Sequence, residues 1–225
     1  QKSFNVILKS KIKPFKKIIR VDSDKSISIR SFLIGAIAQN ISSVKNVLES
    51  EDVFSTINCL KKLGIKILYE KKGCYKIFGK GLGSFKIKNN SKLNFGNSGT
   101  LSRLILGIIA STPNIDLIVT GDKSLNKRSM KKLIDLLSEF GAEFRPKGKF
   151  FFPLRVLSSN FPIGIKYNAG TSAQLKSAVM LAGLNSYGIT KITEKQKSRD
   201  HTENMLLKNS HVIRIKNSKK KIIKI

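Results

Sequence analysis

The chain has no tryptophan, two cysteines, five prolines and only 14 acidic residues against 43 lysines and arginines. Each shortage excludes something. Cys59 and Cys74 form no Cys-x-x-Cys pair, so neither a zinc site nor a dithiol redox motif is supported. Cys59 falls in a helical pattern that places it in a core, and so few cysteines in 225 residues fit a reducing compartment. The longest apolar run, near Leu104–Ala110, is interrupted by Gly107 and falls far short of the ~20 residues that a membrane helix needs. No signal-peptide pattern is visible, and the chain opens with Gln rather than Met, which leaves room for residues upstream. The scarcity of acids leaves a formal net charge of +29, which in general points to nucleic acid, anionic membranes or anionic metabolites. The lysines are spread along the whole chain, and the one compact run is Lys219-Lys220-Lys221. The 13 Phe sit mostly at core-like positions, with no Trp to stack on bases, so a nucleic-acid partner is not expected.

What is present is a core, with 40% hydrophobic residues, and one conspicuous stretch: Asp24-Lys25-Ser26-Ile27-Ser28-Ile29-Arg30, leading into an apolar helix. Ser26 and Arg30 are four apart and share a helix face. A helix N-terminus presents unpaired N–H groups and a positive dipole end, and both favour an anion. The plainer alternative is an N-cap Ser between two solvated charges.

The same device recurs. Asn97-Ser98-Gly99-Thr100 leads into an apolar helix over 101–111, and Gly170-Thr171-Ser172-Ala173-Gln174 leads into another over 175–184. After each junction the pattern predicts a strand, a helix and two strands. In the first pass these are a strand at 43–48, a helix from Glu51 stopped by Gly64, and strands at 65–69 and 75–78 around Gly73. In the second they are a strand at 115–120, a helix from about Arg128 to Gly141, and strands around 142–145 and 150–156. The third pass begins with a strand at 163–167, continues with a strand at 188–193 and a helix from Asp200, and ends in 212–215 and 222–225. Residues 4–20 (Phe4, Val6, Ile7, Leu8, Ile12, Ile18, Ile19) read as one or two short strands broken at Pro14. Taken at Ser26, Ser98 and Ser172, the junctions lie 72 and 74 residues apart, which argues for threefold internal repetition. If the units pack around a pseudo-threefold axis, three positive helix ends face one place and gather a multiply charged anion.

Five motifs in this order and spacing resemble the 5-enolpyruvylshikimate-3-phosphate synthase family: Asp24-Lys25-Ser26-Ile27-Ser28-x-Arg30, Gly96-Asn97-Ser98-Gly99-Thr100-x-x-Arg103, Thr120-Gly121-Asp122-x-Ser124-Leu125-x-Lys127-Arg128, Ser172-Ala173-Gln174-x-Lys176-Ser177-Ala178 and Arg199-Asp200-His201-Thr202-Glu203. The Ser-Ala-Gln form is similar to the bacterial class. The resemblance implies an α/β (α+β) fold: three repeated βαβαββ units, about 21–90, 91–160 and 161–225, forming one domain of the two-domain enolpyruvyl transferase fold. Residues 1–20 would supply strands to an incomplete first domain whose remainder is absent, so this is expected to be the N-terminal half of such an enzyme. The implied reaction transfers the carboxyvinyl group of phosphoenolpyruvate to the 5-hydroxyl of shikimate 3-phosphate, releasing phosphate, in aromatic amino acid biosynthesis.

By the same resemblance, Lys25, Ser26, Arg30, Ser172, Ala173, Gln174 and Arg199 would bind shikimate 3-phosphate, and Lys25, Gly99, Arg128 and Gln174 would bind phosphoenolpyruvate. Lys25, crowded by Arg30 and Arg128, is the candidate for proton transfer. No metal and no cofactor are implied. The partners are small anionic substrates, with no nucleic acid and no membrane, and the full-length protein is expected to be a cytoplasmic monomer. The absent half would carry the acidic catalytic residue and further phosphoenolpyruvate arginines, so the 225 residues alone should bind weakly and not turn over. Arg103 is expected as a structural ion-pair partner rather than an ordinary helix-surface charge. Asn97 stays open between turn residue and ligand. His201 is expected to cap or pack at a helix start, Asp200 and Glu203 to be first-turn acids, and His211 to be incidental in a strand. Four positions depart from the family pattern: Asp22-Ser23 replaces Pro-Gly, Ile29 replaces His, and Ser129 replaces Pro. The alternatives are the UDP-N-acetylglucosamine enolpyruvyl transferase, disfavoured by Ser26 where Asn is typical, and an RNA-binding or RNA-end-processing protein of the related cyclase fold.

Overall fold

A computed structural model describes residues 5–7, 9–11, 13–14, 16, 18–19, 21–208, 211–218 and 220–225. The elements run α1 (Lys25–Ile37), β1 (Gln39–Val44), α2 (Glu51–Lys62), β2 (Lys66–Lys71), β3 (Cys74–Lys80), β4 (Ser91–Asn94), α3 (Gly99–Ala110) and β5 (Asp116–Thr120). They continue with a 3-10 turn (Leu125–Lys127), α4 (Lys131–Glu139), β6 (Glu143–Arg145), β7 (Leu154–Leu157), β8 (Lys166–Ala169), α5 (Ala173–Gly183), β9 (Lys191–Glu194), α6 (His201–Leu206), β10 (Arg214–Asn217) and β11 (Lys221–Lys224).

Three sheets share one order. β1-β3-β2, β4-β5-β7-β6 and β10-β11-β9-β8 each place the last strand of a hairpin in the middle. β4 pairs parallel with β5, and β8 parallel with β9, while every other pairing is antiparallel. Among the described residues the first sheet has no counterpart of β4 and β8. That strand would precede α1, where the described residues carry no strand and Val6, Ile7, Ile18 and Ile19 are exposed. Phe4, Leu8 and Ile12 of the expected N-terminal strands lie outside the described residues.

The helices divide into two kinds. α2 and α4 are amphipathic: Val53, Ile57 and Leu60, and Leu133, Ile134 and Leu137, turn inward. The acids Glu51 and Asp52 open α2, and Gly64, at φ +86°, follows its C-cap residue Leu63. Cys59 is buried as expected, and burial pushes its thiol up to about 12. α1, α3 and α5 are apolar around most of their circumference and lie inside the core. α3 and α5 pack closely because Gly107 has no side chain; a Cβ there would run into the carbonyl oxygen of Ala178.

Boundaries moved where polarity hides the period. The first strand lies at 39–44 rather than 43–48, since Gln39, Asn40, Ser42 and Ser43 offer no apolar alternation. β8, β9 and β10 likewise begin two or three residues later than expected. His211 sits in an exposed turn rather than in a strand.

Candidate functional site

The inner helices begin alike. Asp24 caps α1, its Oδ1 accepting from Ile27 N at 2.7 Å. Ser98 caps α3, Oγ accepting from Leu101 N at 3.2 Å, and Ser172 caps α5, Oγ accepting from Leu175 N at 3.3 Å. A short oxygen-bearing side chain satisfying an orphan N–H is the usual way a helix starts. The caps therefore stand at 24, 98 and 172, an even 74 residues apart. The plainer alternative had put the first cap at Ser26; Ser26 is instead the second residue of α1, equivalent to Thr100 of α3 and Gln174 of α5.

These three equivalent residues meet. One small pocket is lined by Ser26, Arg30, Thr100, Ala173, Gln174, Arg199 and His201. Five of the seven are residues singled out from the sequence; Thr100 and His201 are additions. His201 stands at the helix start where it was expected, as the first residue of α6, and it also forms part of the wall. Gln174 Nε2 donates to Thr100 Oγ1 at 3.0 Å, joining α5 to α3 at their starts.

Arg30 is the most constrained cation of the pocket, with only 4% of its surface exposed. Its Nε donates to Thr202 Oγ1 at 2.8 Å, Nη1 to the Ser26 carbonyl at 3.0 Å and Nη2 to Ser177 Oγ at 3.1 Å. All three acceptors are neutral, and no carboxylate lies within ion-pairing distance among the described residues. Burial pushes its basicity down, and the neighbouring Arg199 pushes the same way; Glu203 and Asp24 oppose both without cancelling them. An arginine stays charged under such pressure, so the pocket carries positive charge that an anion would neutralise.

A second cationic cluster lies at the start of α3. Arg103 Nη1 donates to the Gly99 carbonyl at 2.9 Å, and Arg128 Nη2 donates to Asn97 Oδ1 at 3.1 Å. Burial, then the Arg128 charge, lowers the basicity of Arg103. Arg103 makes no ion pair among the described residues, so the ion-pair role expected of it is not what the structure shows. A Cβ on Gly99 would stand 2.7 Å from Arg103 Nη1 and 3.3 Å from Arg128 Nη1. The missing side chain is therefore what lets two guanidiniums crowd onto this helix end. Ser172 borders an adjoining groove of about 830 Å³ together with Arg103.

Lys25 departs from expectation. It was read as crowded by Arg30 and Arg128; its Nζ instead pairs with Asp52 Oδ2 at 3.1 Å, on a half-exposed side chain.

Behind the pocket lies a buried ion network that the sequence reading left without a role. Lys176, fully enclosed, stands 2.8 Å from Glu194 Oε1 and 2.6 Å from Glu203 Oε1. Lys221 joins Glu203 at 3.2 Å and Glu194 at 3.9 Å. Ser198 N and Oγ both donate to Glu194, at 2.8 and 2.6 Å. Burial works to raise the Glu194 carboxyl, but the hydrogen bonds from Lys176 and Ser198 outweigh it and hold the group below its ordinary range. Glu203 is thus a core ion partner rather than only a first-turn acid. The network anchors both ends of the segment that carries Arg199 and His201. A lone lysine on a helix whose later residues are apolar was the one available signal for it.

Residues 9–225 match the family model for EPSP synthase (3-phosphoshikimate 1-carboxyvinyltransferase). The 3-phosphoshikimate 1-carboxyvinyltransferase of Bacillus subtilis is 45% identical over 190 residues, covering 84% of this chain and 44% of that protein. The enzyme of the same name from Persephonella marina is 44% identical over 200 residues, covering 88% of this chain and 45% of that protein. The structure of EPSP synthase from Acinetobacter baumannii superposes with a TM-score of 0.82 at 36% identity, over 91% of this chain and 46% of that one. The chain spans about half the length of the curated relatives it matches.

Proposed function

The chain belongs to the EPSP synthase (3-phosphoshikimate 1-carboxyvinyltransferase) family, and from that premise we propose that it supplies the acceptor-binding part of a carboxyvinyl transfer site. In this reading shikimate 3-phosphate lies against Ser26, Arg30, Ser172, Ala173, Gln174 and Arg199. Phosphoenolpyruvate lies toward Gly99 and Arg128, with Gln174 between the two and Lys25 reaching both. The reaction joins the enolpyruvyl group to the 5-hydroxyl and releases phosphate. The observation that carries the reading is Arg30: a buried guanidinium with neutral acceptors only, at the place where three inner helices begin. Its charge, and the N–H ends around it, are arranged for a ligand anion.

Three acids near the pocket are already engaged. Asp24 caps α1, Asp52 pairs with Lys25, and Glu203 pairs with Lys176 and Lys221. None of these three is free to exchange a proton with a substrate, so in this reading the acid is supplied elsewhere in the working enzyme, and Lys25 stays the candidate for proton transfer among the described residues. We further read the protein as a cytoplasmic monomer acting on small anions without metal, cofactor, nucleic acid or membrane. No helix among the described residues is long and apolar enough to cross a membrane.

Calorimetric titration of the 225-residue chain tests the proposal. Shikimate 3-phosphate should bind weakly, unphosphorylated shikimate should bind at least tenfold more weakly, and Arg30→Met should weaken both, since each carries an anion. Equal affinity for the two ligands, or full retention in the Arg30 variant, would refute it. RNA binding tighter than that of shikimate 3-phosphate would refute it as well.

A further inference from the structure

The even spacing of the three caps makes Ser26, Thr100 and Gln174 equivalent, each the second residue of an inner helix. Ser26 and Gln174 belong to the proposed site; nothing above gives Thr100 a role. Thr100 is buried, lines the same pocket, and accepts from Gln174 Nε2 at 3.0 Å. That bond is the only one the Gln174 carboxamide makes among the described residues. A glutamine side chain has three rotatable torsions, and at a half-buried helix start nothing else fixes them.

The chemistry of the bond decides what the pocket offers. With one N–H of its NH₂ given to Thr100, the Gln174 carboxamide leaves its oxygen open as an acceptor and its second N–H as a donor. Thr100 Oγ1 accepts from the amide, so its own O–H is free to donate. Beside Arg30 and Arg199, which take an anion, stands a neighbouring acceptor and donor suited to a hydroxyl.

We propose that Thr100 is a positioning residue: it holds the Gln174 carboxamide so that the pocket selects an anion that also carries a hydroxyl over a bare anion. The proposal rests on the reading of the site as an acceptor-substrate site. Thr100→Val keeps the shape and removes the hydroxyl; Thr100→Ser restores it. Two measurements on the 225-residue chain test this. In the first, titration with shikimate 3-phosphate and with inorganic phosphate, the Val variant should lose roughly tenfold in affinity for the former, the effect of one hydrogen bond, and less than twofold for the latter. The Ser variant should recover most of the loss. Parallel losses for both ligands, or a Ser variant no better than the Val variant, would overturn the proposal. In the second, the Gln174 side-chain amide signals in a ¹⁵N–¹H spectrum of the free protein should move to random-coil positions in the Val variant and return in the Ser variant. If the wild-type chain bound neither ligand, the acceptor-site reading would fall, and with it the selection step. Amide signals unmoved by Thr100→Val would overturn the anchoring itself.

Discussion

Replacing Lys176 by Met removes the central cation of the buried network while keeping most of the side-chain volume. Lys176 Nζ sits between Glu194 and Glu203 with no exposure, so both carboxylates lose their nearest counter-charge. Breaking a buried pair from one side costs about 3–5 kcal/mol, because the remaining charge stays desolvated and uncompensated. Lys221 remains, 3.2 Å from Glu203 and 3.9 Å from Glu194, which places the expected loss toward the lower end, roughly 3–4 kcal/mol. For a chain of this size each kcal/mol lowers Tm by about 2–4 °C, so a drop of about 10 °C is expected in a thermal melt at pH 7.5. The deficit should shrink as the pH falls. In the wild-type chain Glu194 is held below its ordinary value, so its contribution is present above the unfolded pKa and is lost as pH drops through the folded one. In the variant the Lys176 hydrogen bond and charge no longer oppose burial and only the Ser198 bonds do, so the carboxyl moves up and protonation relieves the penalty at a higher pH than in the wild type. Melts at pH 7.5 and pH 5 should therefore converge, and adding Glu194→Gln and Glu203→Gln should recover part of the loss at pH 7.5. A fall in Tm under about 2 °C, or a deficit independent of pH, would refute the account of this network.

Two glycines on the same helix should respond differently to alanine. At Gly107 the added Cβ meets the backbone carbonyl of Ala178, which cannot swing aside, so Gly107→Ala should cost about 1–3 kcal/mol in a urea titration. At Gly99 the nearest atom is the far end of the Arg103 side chain, 2.7 Å away, so Gly99→Ala should cost under about 1 kcal/mol while weakening phosphate binding by displacing that guanidinium. The two thiols should also separate. Burial puts Cys59 at about 12, leaving on the order of one thiolate in ten thousand at pH 8, so in the native chain a disulfide reagent should modify the half-buried Cys74 first and Cys59 only on unfolding.

The inner helices were legible because each apolar run follows a small, oxygen-bearing residue, and the stops at Gly64 and Gly141 were legible because both take positive φ. The first junction was taken at Ser26, two residues past the cap, because a hydroxyl was sought where a carboxylate does the same work; Asp24 accepts a backbone N–H as Ser98 and Ser172 do. Burial was the larger gap. Lys176 and Glu203 stood inside recognised motifs but look in one dimension like any other charges, and only the folded chain, through ion pairs that join α5, β9, α6 and β11, shows that they face each other. The same blindness misplaced Lys25, whose partner Asp52 comes from the next helix.

These corrections bear on why the site is built as it is. A chain at +29 has positive charge everywhere, and most of it is solvated and selects nothing. Selectivity needs a few cations that water and protein acids cannot satisfy. The structure separates the two populations. Lys176 is enclosed and matched by two glutamates, which makes it a support. Arg30 is nearly as enclosed but given only hydroxyls and a carbonyl, which hold its plane without neutralising it. Glu203, one of the two glutamates that satisfy Lys176, is near enough to oppose the burial of the Arg30 charge without pairing with it. Moving an acid forward into contact, as Ser177→Asp would, should fill the charge deficit from within. The expected result is a more stable protein, seen as a higher Tm, that has lost measurable affinity for shikimate 3-phosphate and shikimate alike in a calorimetric titration.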